Sequence, residues 1–154
     1  MSIGQHDSRP KPSARILLVD DNRFGLCARK TILEQLGYAV VAKSCPHQAV
    51  DCFAQESFDL VITDYRMPGM DGAKLISQVR STNPRVPVVL ISGVADMLGL
   101  NEATTGANAV IQKSAHEVQV MVRAVERLLE RPPKPARKPV ASYRPPAYSR
   151  AGVL

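Results

Sequence analysis

The chain has 154 residues, 45% of them hydrophobic and 22% charged, with three cysteines and a net charge of +6. That composition suits one globular domain with appended segments, and no apolar run approaches the roughly 20 residues that a membrane span requires. The excess positive charge is not a property of the fold: Arg15 to Arg131 carries 13 Lys/Arg against 13 Asp/Glu, while Lys134, Arg137, Lys138, Arg144 and Arg150 stand in an acid-free end. The folded part therefore lacks the electrostatic footprint of a nucleic-acid binder.

Residues 1–13 are polar, contain Gly4, Pro10 and Pro12 and show no periodicity, so a flexible arm is expected there. They hold no apolar core of a secretory signal, and a cytoplasmic location is expected. Ile16 to Val19 is a short apolar run that ends at Asp20-Asp21, and Phe24, Ala28, Ile32 and Leu36 then recur every four residues up to Gly37. This predicts a strand followed by a helix that glycine stops. Ala39 to Ala42 predicts a second strand, and Pro46 with Ala49, Val50 and Phe53 a second helix.

The third apolar run, Phe58 to Ile62 with one acid inside it, ends at Asp64 and gives way to the loop Met67-Pro68-Gly69-Met70-Asp71-Gly72, after which Leu75, Ile76 and Val79 mark a helix. Val86 to Ile91 is a fourth strand ending at Ser92-Gly93. The next segment, Val94 to Thr105, is a poor helix, interrupted by Gly99 and by Thr104-Thr105. Ala109 to Ile111 is a fifth strand ending at Gln112-Lys113. Ser114 to Glu117 then has the form of a capping box ahead of Val118, Met121, Val122, Val125, Leu128 and Leu129, an amphipathic helix.

Five strands that each precede a helix imply an α/β fold: a five-stranded parallel sheet, doubly wound, with five helices on two faces. The domain is expected to occupy residues 14–131. Residues 132–154 are basic and proline-rich and read as an extended, coreless tail. Its Pro132 to Pro135 and Pro145 to Tyr148 have the PxxP and PPxY forms that aromatic grooves bind. Phe24, Phe53 and Phe58 are expected in the core, and Cys27, Cys45 and Cys52 as reduced packing residues. His6, His47 and His116 have no ligand spacing.

In an open parallel sheet the carboxyl ends of all strands share one edge, where ligands bind. Here that edge collects Asp20 and Asp21, Asp64, Ser92 and Lys113. Two unit charges about 4 Å apart repel by roughly 4 kcal/mol at an effective dielectric of 20, so three clustered carboxylates call for a cation beyond Lys113. A hard divalent ion with oxygen ligands, Mg²⁺, suits a small open site, and a metal, a lysine and a hydroxyl together suit a phosphoryl group.

The ordered set of Asp20-Asp21, Asp64 with Tyr65-Arg66-Met67-Pro68-Gly69-Met70-Asp71-Gly72, Ser92-Gly93 and Lys113 resembles the receiver domain of two-component response regulators, over roughly Ala14 to Arg131. The resemblance implies a flavodoxin-like strand order and a phosphorylation-controlled signalling module, not an enzyme beyond self-catalysed phosphotransfer and autodephosphorylation. It implies that Asp64 accepts a phosphoryl group from a sensor histidine kinase or histidine phosphotransfer protein. Asp21 would bind Mg²⁺ directly, Asp20 through water, and the Arg66 carbonyl would be a backbone ligand. Lys113 and Ser92 would hold the phosphoryl oxygens, and output would run through protein contacts with a downstream target that the sequence does not name.

Three positions depart from the family pattern. Val110 stands where receivers usually carry an aromatic, Ser114 replaces the proline after the lysine, and Val94 to Thr105 is weakly helical. Arg66 and Val94 are expected to flank the path of water towards phospho-Asp64 and to slow its hydrolysis. Two other readings compete: a pseudo-receiver that binds without being switched, and a Mg²⁺ phosphohydrolase with an aspartate nucleophile. The latter would place a D-x-D pattern after the first strand, where Asp20 and Asp21 are adjacent.

Overall fold

The computed structural model describes residues 13–130. The expected arm, apart from Ser13, and the proline-rich tail with its PxxP and PPxY motifs lie outside the described residues. Within them the chain runs β1 (Arg15–Val19), α1 (Arg23–Gln35), β2 (Ala39–Lys43), α2 (Pro46–Gln55), β3 (Leu60–Asp64), α3 (Gly72–Thr82), β4 (Val88–Ser92), α4 (Ala95–Leu98), α5 (Glu102–Thr105), β5 (Ala109–Gln112) and α6 (Glu117–Glu130). The strands form one sheet in the order β2-β1-β3-β4-β5, every neighbouring pair parallel. This is the flavodoxin-like order, with its switch point between β1 and β3.

Because side chains alternate along a strand, each central strand feeds two cores. Leu17, Val19, Val61, Val88 and Leu90 face the layer of Ala49, Phe53, Leu75, Ile76 and Val79 on α2 and α3. Ile16, Leu18, Leu60, Ile62, Val89 and Ile91 face the layer of Leu33 on α1 and Met121, Val125 and Leu128 on α6. The apolar runs of β1, β3 and β4 are thus buried on both sides, β3 and β4 at every residue, whereas the edge strand β2 is half-buried throughout.

Helix α1 carries a correction. Phe24 is 90% exposed, Leu36 is exposed and Ala28 lies on the surface, so the four-residue recurrence does not trace the buried face. The face that packs holds Leu26, Arg29 and Leu33. Cys27 is exposed on the same outer side instead of packed, while Cys45 and Cys52 are half-buried, and all three are free thiols. Phe53 and Phe58 are core residues as expected, stacked with centroids 6.1 Å apart.

The weak fourth helix resolves into two short pieces, so six helices replace the expected five. Gly99 ends α4 and Gly106 ends α5, both in the left-handed region with φ of 62° and 78° that costs other residues backbone strain. Asn101, between them, caps α5 through a bond to the Thr104 amide at 2.9 Å. The predicted box at Ser114 and Glu117 also differs: Ser114 Oγ accepts the His116 amide at 3.2 Å, and the Glu117 carboxylate is turned to Arg29. The Lys113–Ser114 peptide is trans.

Arg80 on α3 fastens the irregular segment to the sheet. Its guanidinium donates to the carbonyls of Val86 and Gly106 and to Asn108 Oδ1, the last at 2.8 Å, and the same Asn108 oxygen accepts the Val88 amide at 2.8 Å. Charge-assisted bonds from a buried guanidinium to carbonyls are costly to remove, so Arg80→Met should lower unfolding stability by roughly 2–3 kcal/mol in a urea titration. A loss below about 0.5 kcal/mol would mean that Arg80 does not fasten this region.

Candidate functional site

The carboxyl ends of β1 and β3 lie side by side, with Val19 in register with Thr63, so the residues that follow meet at the mouth of the sheet. Asp20, Asp21 and Asp64 each offer an oxygen, and these three atoms lie within 4.8 Å of one another. Asp20 is 1% exposed and Asp64 6%, whereas Asp21 is exposed to solvent. Lys113, just past β5, places Nζ 3.1 Å from Asp64 Oδ1. Ser92, at the end of β4 and fully buried, follows Ile91, the residue paired with Asp64; its Oγ accepts the Val94 amide at 3.1 Å. Arg66, two residues after Asp64, is exposed between the buried Tyr65 and Met67. The site residues read from the sequence therefore converge on one edge.

Close packing fixes the Asp64 end of β3. Gly72 opens α3 directly against it, donating its amide to the Tyr65 carbonyl at 2.6 Å. A Cβ there would press on the Asp64 carbonyl and lie 2.9 Å from Tyr65 Cα and 2.7 Å from Leu90 Cδ1. Only the residue without a side chain lets α3 start so near the strand. Asp71 caps the helix by accepting the Lys74 amide at 2.8 Å.

Two groups that tie the site to its surroundings escaped the sequence reading. Arg29 on α1, 7% exposed, donates Nη1 to Asp20 Oδ2 and, through Nε at 2.8 Å and through Nη2, to Glu117 on α6. Lys113 is thus not the sole cation at the acids. The signal was present: Leu26 and Leu33 at i and i+7 define the buried stripe, and Arg29 lies in its middle. Gln112 is the other: its amide donates to the Gly93 carbonyl at 2.8 Å and its Oε1 accepts the Asp96 amide at 3.0 Å, tying the loop after β4 to β5.

The oxygen-only donor set, one member open to solvent, matches the preferences of a hard divalent cation and gives no soft ligand for a thiophilic metal. Burial pushes the Asp64 carboxyl above the usual carboxylate range; the charge and hydrogen bond of Lys113 oppose this, and the negative charge of Asp20 adds to it. A raised folded-state pKa means that protonation favours the fold, so this contribution to stability falls as pH rises through it. In chelator, Asp64→Asn should therefore be more stable than the parent chain at neutral pH, and the difference in thermal midpoint should shrink as pH is lowered into the acid range. A difference that did not change with pH would contradict the burial argument.

The family description "Response regulator receiver domain" matches residues 16–126. A gliding motility regulatory protein of Myxococcus xanthus is 31% identical over 120 residues, covering 74% of this chain and 15% of that protein. The response regulator protein FleR of Pseudomonas aeruginosa is 39% identical over 80 residues, 52% of this chain and 17% of FleR. The chain thus spans less than a fifth of these two relatives. Among solved structures, the receiver domain of a sensor histidine kinase from Pseudomonas aeruginosa PAO1, with a magnesium ion coordinated in its active-site cleft, matches with a TM-score of 0.70 at 25% identity over 78% of this chain and 100% of that one. The response regulator TrrA of Thermotoga maritima, in complex with Mg²⁺ and BeF, matches with a TM-score of 0.67 at 25% identity over 75% of this chain and 99% of that one. The parallel sheet in 2-1-3-4-5 order, the acids gathered at its β1/β3 mouth and a family match spanning nearly all of the described residues agree, and the chain belongs to the response regulator receiver domain family.

Proposed function

We propose that this chain is a phosphorylation-controlled signalling module in which Asp64 accepts a phosphoryl group from the phosphohistidine of a sensor histidine kinase or histidine phosphotransfer protein. The observation that carries the reading is the placement of Asp64, at the end of a fully buried strand, 3.1 Å from Lys113 and within a triad of carboxylates. An Asp64 oxygen attacks phosphorus, the donor nitrogen leaves with the bonding pair, and an acyl phosphate forms. Lys113 neutralises charge on the incoming oxygens. Ser92, which accepts from Val94 and keeps its O–H to donate, binds one of them.

Asp21, Asp64 and the Arg66 carbonyl would hold Mg²⁺, with Asp20 behind them. When bound, the ion supplies positive charge to the carboxylate and phosphoryl oxygens. A phosphohydrolase using Asp20 as nucleophile is disfavoured because both Asp20 oxygens are engaged, Oδ1 by the Asn22 amide at 2.9 Å and Oδ2 by Arg29. The family is a signalling domain. We place its output in a further protein reached through the loop that Ser92 and Gln112 hold. Val110, half-buried where receivers usually carry an aromatic, narrows that response to the loop itself. No helix among the described residues is long and apolar enough to cross a membrane, which fits our placement of the module beside a cytoplasmic donor.

Incubation with acetyl phosphate and Mg²⁺ should add one phosphoryl group to the intact mass of the parent chain and none to Asp64→Ala. No gain in the parent chain would leave a pseudo-receiver. Arg66, exposed, and Val94, half-buried at the start of α4, come two residues after Asp64 and Ser92, and we place them beside the approach of water. Replacing both by serine should shorten the lifetime of the phosphorylated form about tenfold, a barrier change near 1.4 kcal/mol. An unchanged dephosphorylation rate would remove these side chains from the account.

A further inference from the structure

Arg29 is a buried cation that the phosphoacceptor chemistry does not require. It lies on the packed face of α1, where an apolar side chain would serve the core, and its guanidinium bridges Asp20 at the mouth of the sheet to Glu117 at the start of α6. The space for it is built. Gly25, one turn earlier, leaves room that a Cβ would take, 3.1 Å from Asp20 Oδ2 and 3.2 Å from Arg29 Nη1. Burial lowers the affinity of Arg29 for its proton, but the bonds and charges of Glu117 and Asp20 more than reverse this, so the group is a permanent cation.

The contacts divide the guanidinium in two. Nη1 serves Asp20, while Nε and Nη2 serve Glu117. Asp20, set behind the metal through water, lends its full negative charge to that site only as far as its Oδ2 gives up its fixed positive partner. Glu117 makes that release tolerable, because Arg29 keeps a carboxylate partner when Nη1 lets go. Without Glu117, releasing Asp20 would strand a charge in the interior, which is strongly unfavourable.

We propose that Arg29 is a built-in counter-ion that competes with the divalent cation for Asp20, and that Glu117 sets the strength of the competition by holding the guanidinium when Asp20 releases it. The proposal rests on the reading of Asp20, Asp21 and Asp64 as a cation site. It makes α6 sensitive to occupancy of that site, since the same guanidinium is shared between them, and it gives Arg29 the part of a positioning residue for Asp20.

The test is titration of Mg²⁺ into the full chain by calorimetry, checked by the Mg²⁺-dependent rise in thermal midpoint, which follows from preferential binding to the folded state. Arg29→Met removes the competitor and should tighten Mg²⁺ binding at least about tenfold, since a nearby unit charge is worth more than the 1.4 kcal/mol of that factor. Glu117→Gln leaves Arg29 with Asp20 as its sole carboxylate and should weaken binding several-fold. Opposite signs in the two variants, or binding in Arg29→Met where the parent chain shows none, support the proposal.

Equal affinities in the parent chain and both variants overturn it. If Asp21→Asn abolishes binding in that case, the cation site stands and only the competition falls. Absence of binding in the parent chain and in Arg29→Met alike overturns both. Should Arg29→Met fail to fold, Glu117→Gln decides alone: weaker binding supports the competition, and unchanged or tighter binding refutes it.

Discussion

Mutual repulsion among Asp20, Asp21 and Asp64 is the constraint around which the structure is arranged. Parallel pairing of β1 with β3 leaves the chain no choice about bringing these acids together, because the strands end at the same level. At an effective dielectric of 20 each close pair costs roughly 4 kcal/mol near 4 Å, a large fraction of a domain's net stability. Two buried apolar layers hold the strands in that register, and two cations temper the cost: Lys113 from the end of β5 and Arg29 from α1. What is left over is electrostatic demand directed at solvent through Asp21, and a demand of that kind suits a divalent ion or a phosphoryl group that brings one.

The two compensating cations differ in what they connect. Lys113 sits on the loop leading into α6 and faces Asp64. Arg29 faces the acid behind it and passes the contact on to Glu117. On the other side of the mouth, Ser92 and Gln112 govern the loop that leads to α4. The groups around the mouth are therefore tied outward in two directions, one through a hydroxyl and an amide to a broken helix, the other through shared ion pairing from Asp20 to α6.

The places where the sequence misled have physical causes. A residue in a helix advances about 100°, so a strict four-residue recurrence rotates by about 40° at each step, and from Phe24 to Leu36 it sweeps about 120° of the surface. The stripe that packs runs through Leu26, Arg29 and Leu33, and a charged residue in its middle hid it. Glu117 has the position of a capping partner, but a buried guanidinium within reach offers it a stronger, charge-assisted bond than an exposed amide does. Cys27 borders apolar residues in the chain and yet faces solvent because of the same rotation of α1.

By itself the sequence determined the alternation of strands and helices, the two-sided burial of the central strands and the placement of Asp20, Asp21, Asp64, Ser92 and Lys113 at strand ends. These follow from periodicity and from residues that end strands, which act within a few positions of each other. It also marked Val94 to Thr105 as unable to sustain one helix, since Gly99 is local too. Only the tertiary structure decided which face of α1 is buried, that Gly72 and Gly25 are spaces kept for neighbours, and that Arg29 joins Asp20 to a glutamate 88 residues away along the chain. Those are contacts between elements, and pairing a buried charge depends on which groups the packing brings near, a matter that no spacing along the chain records.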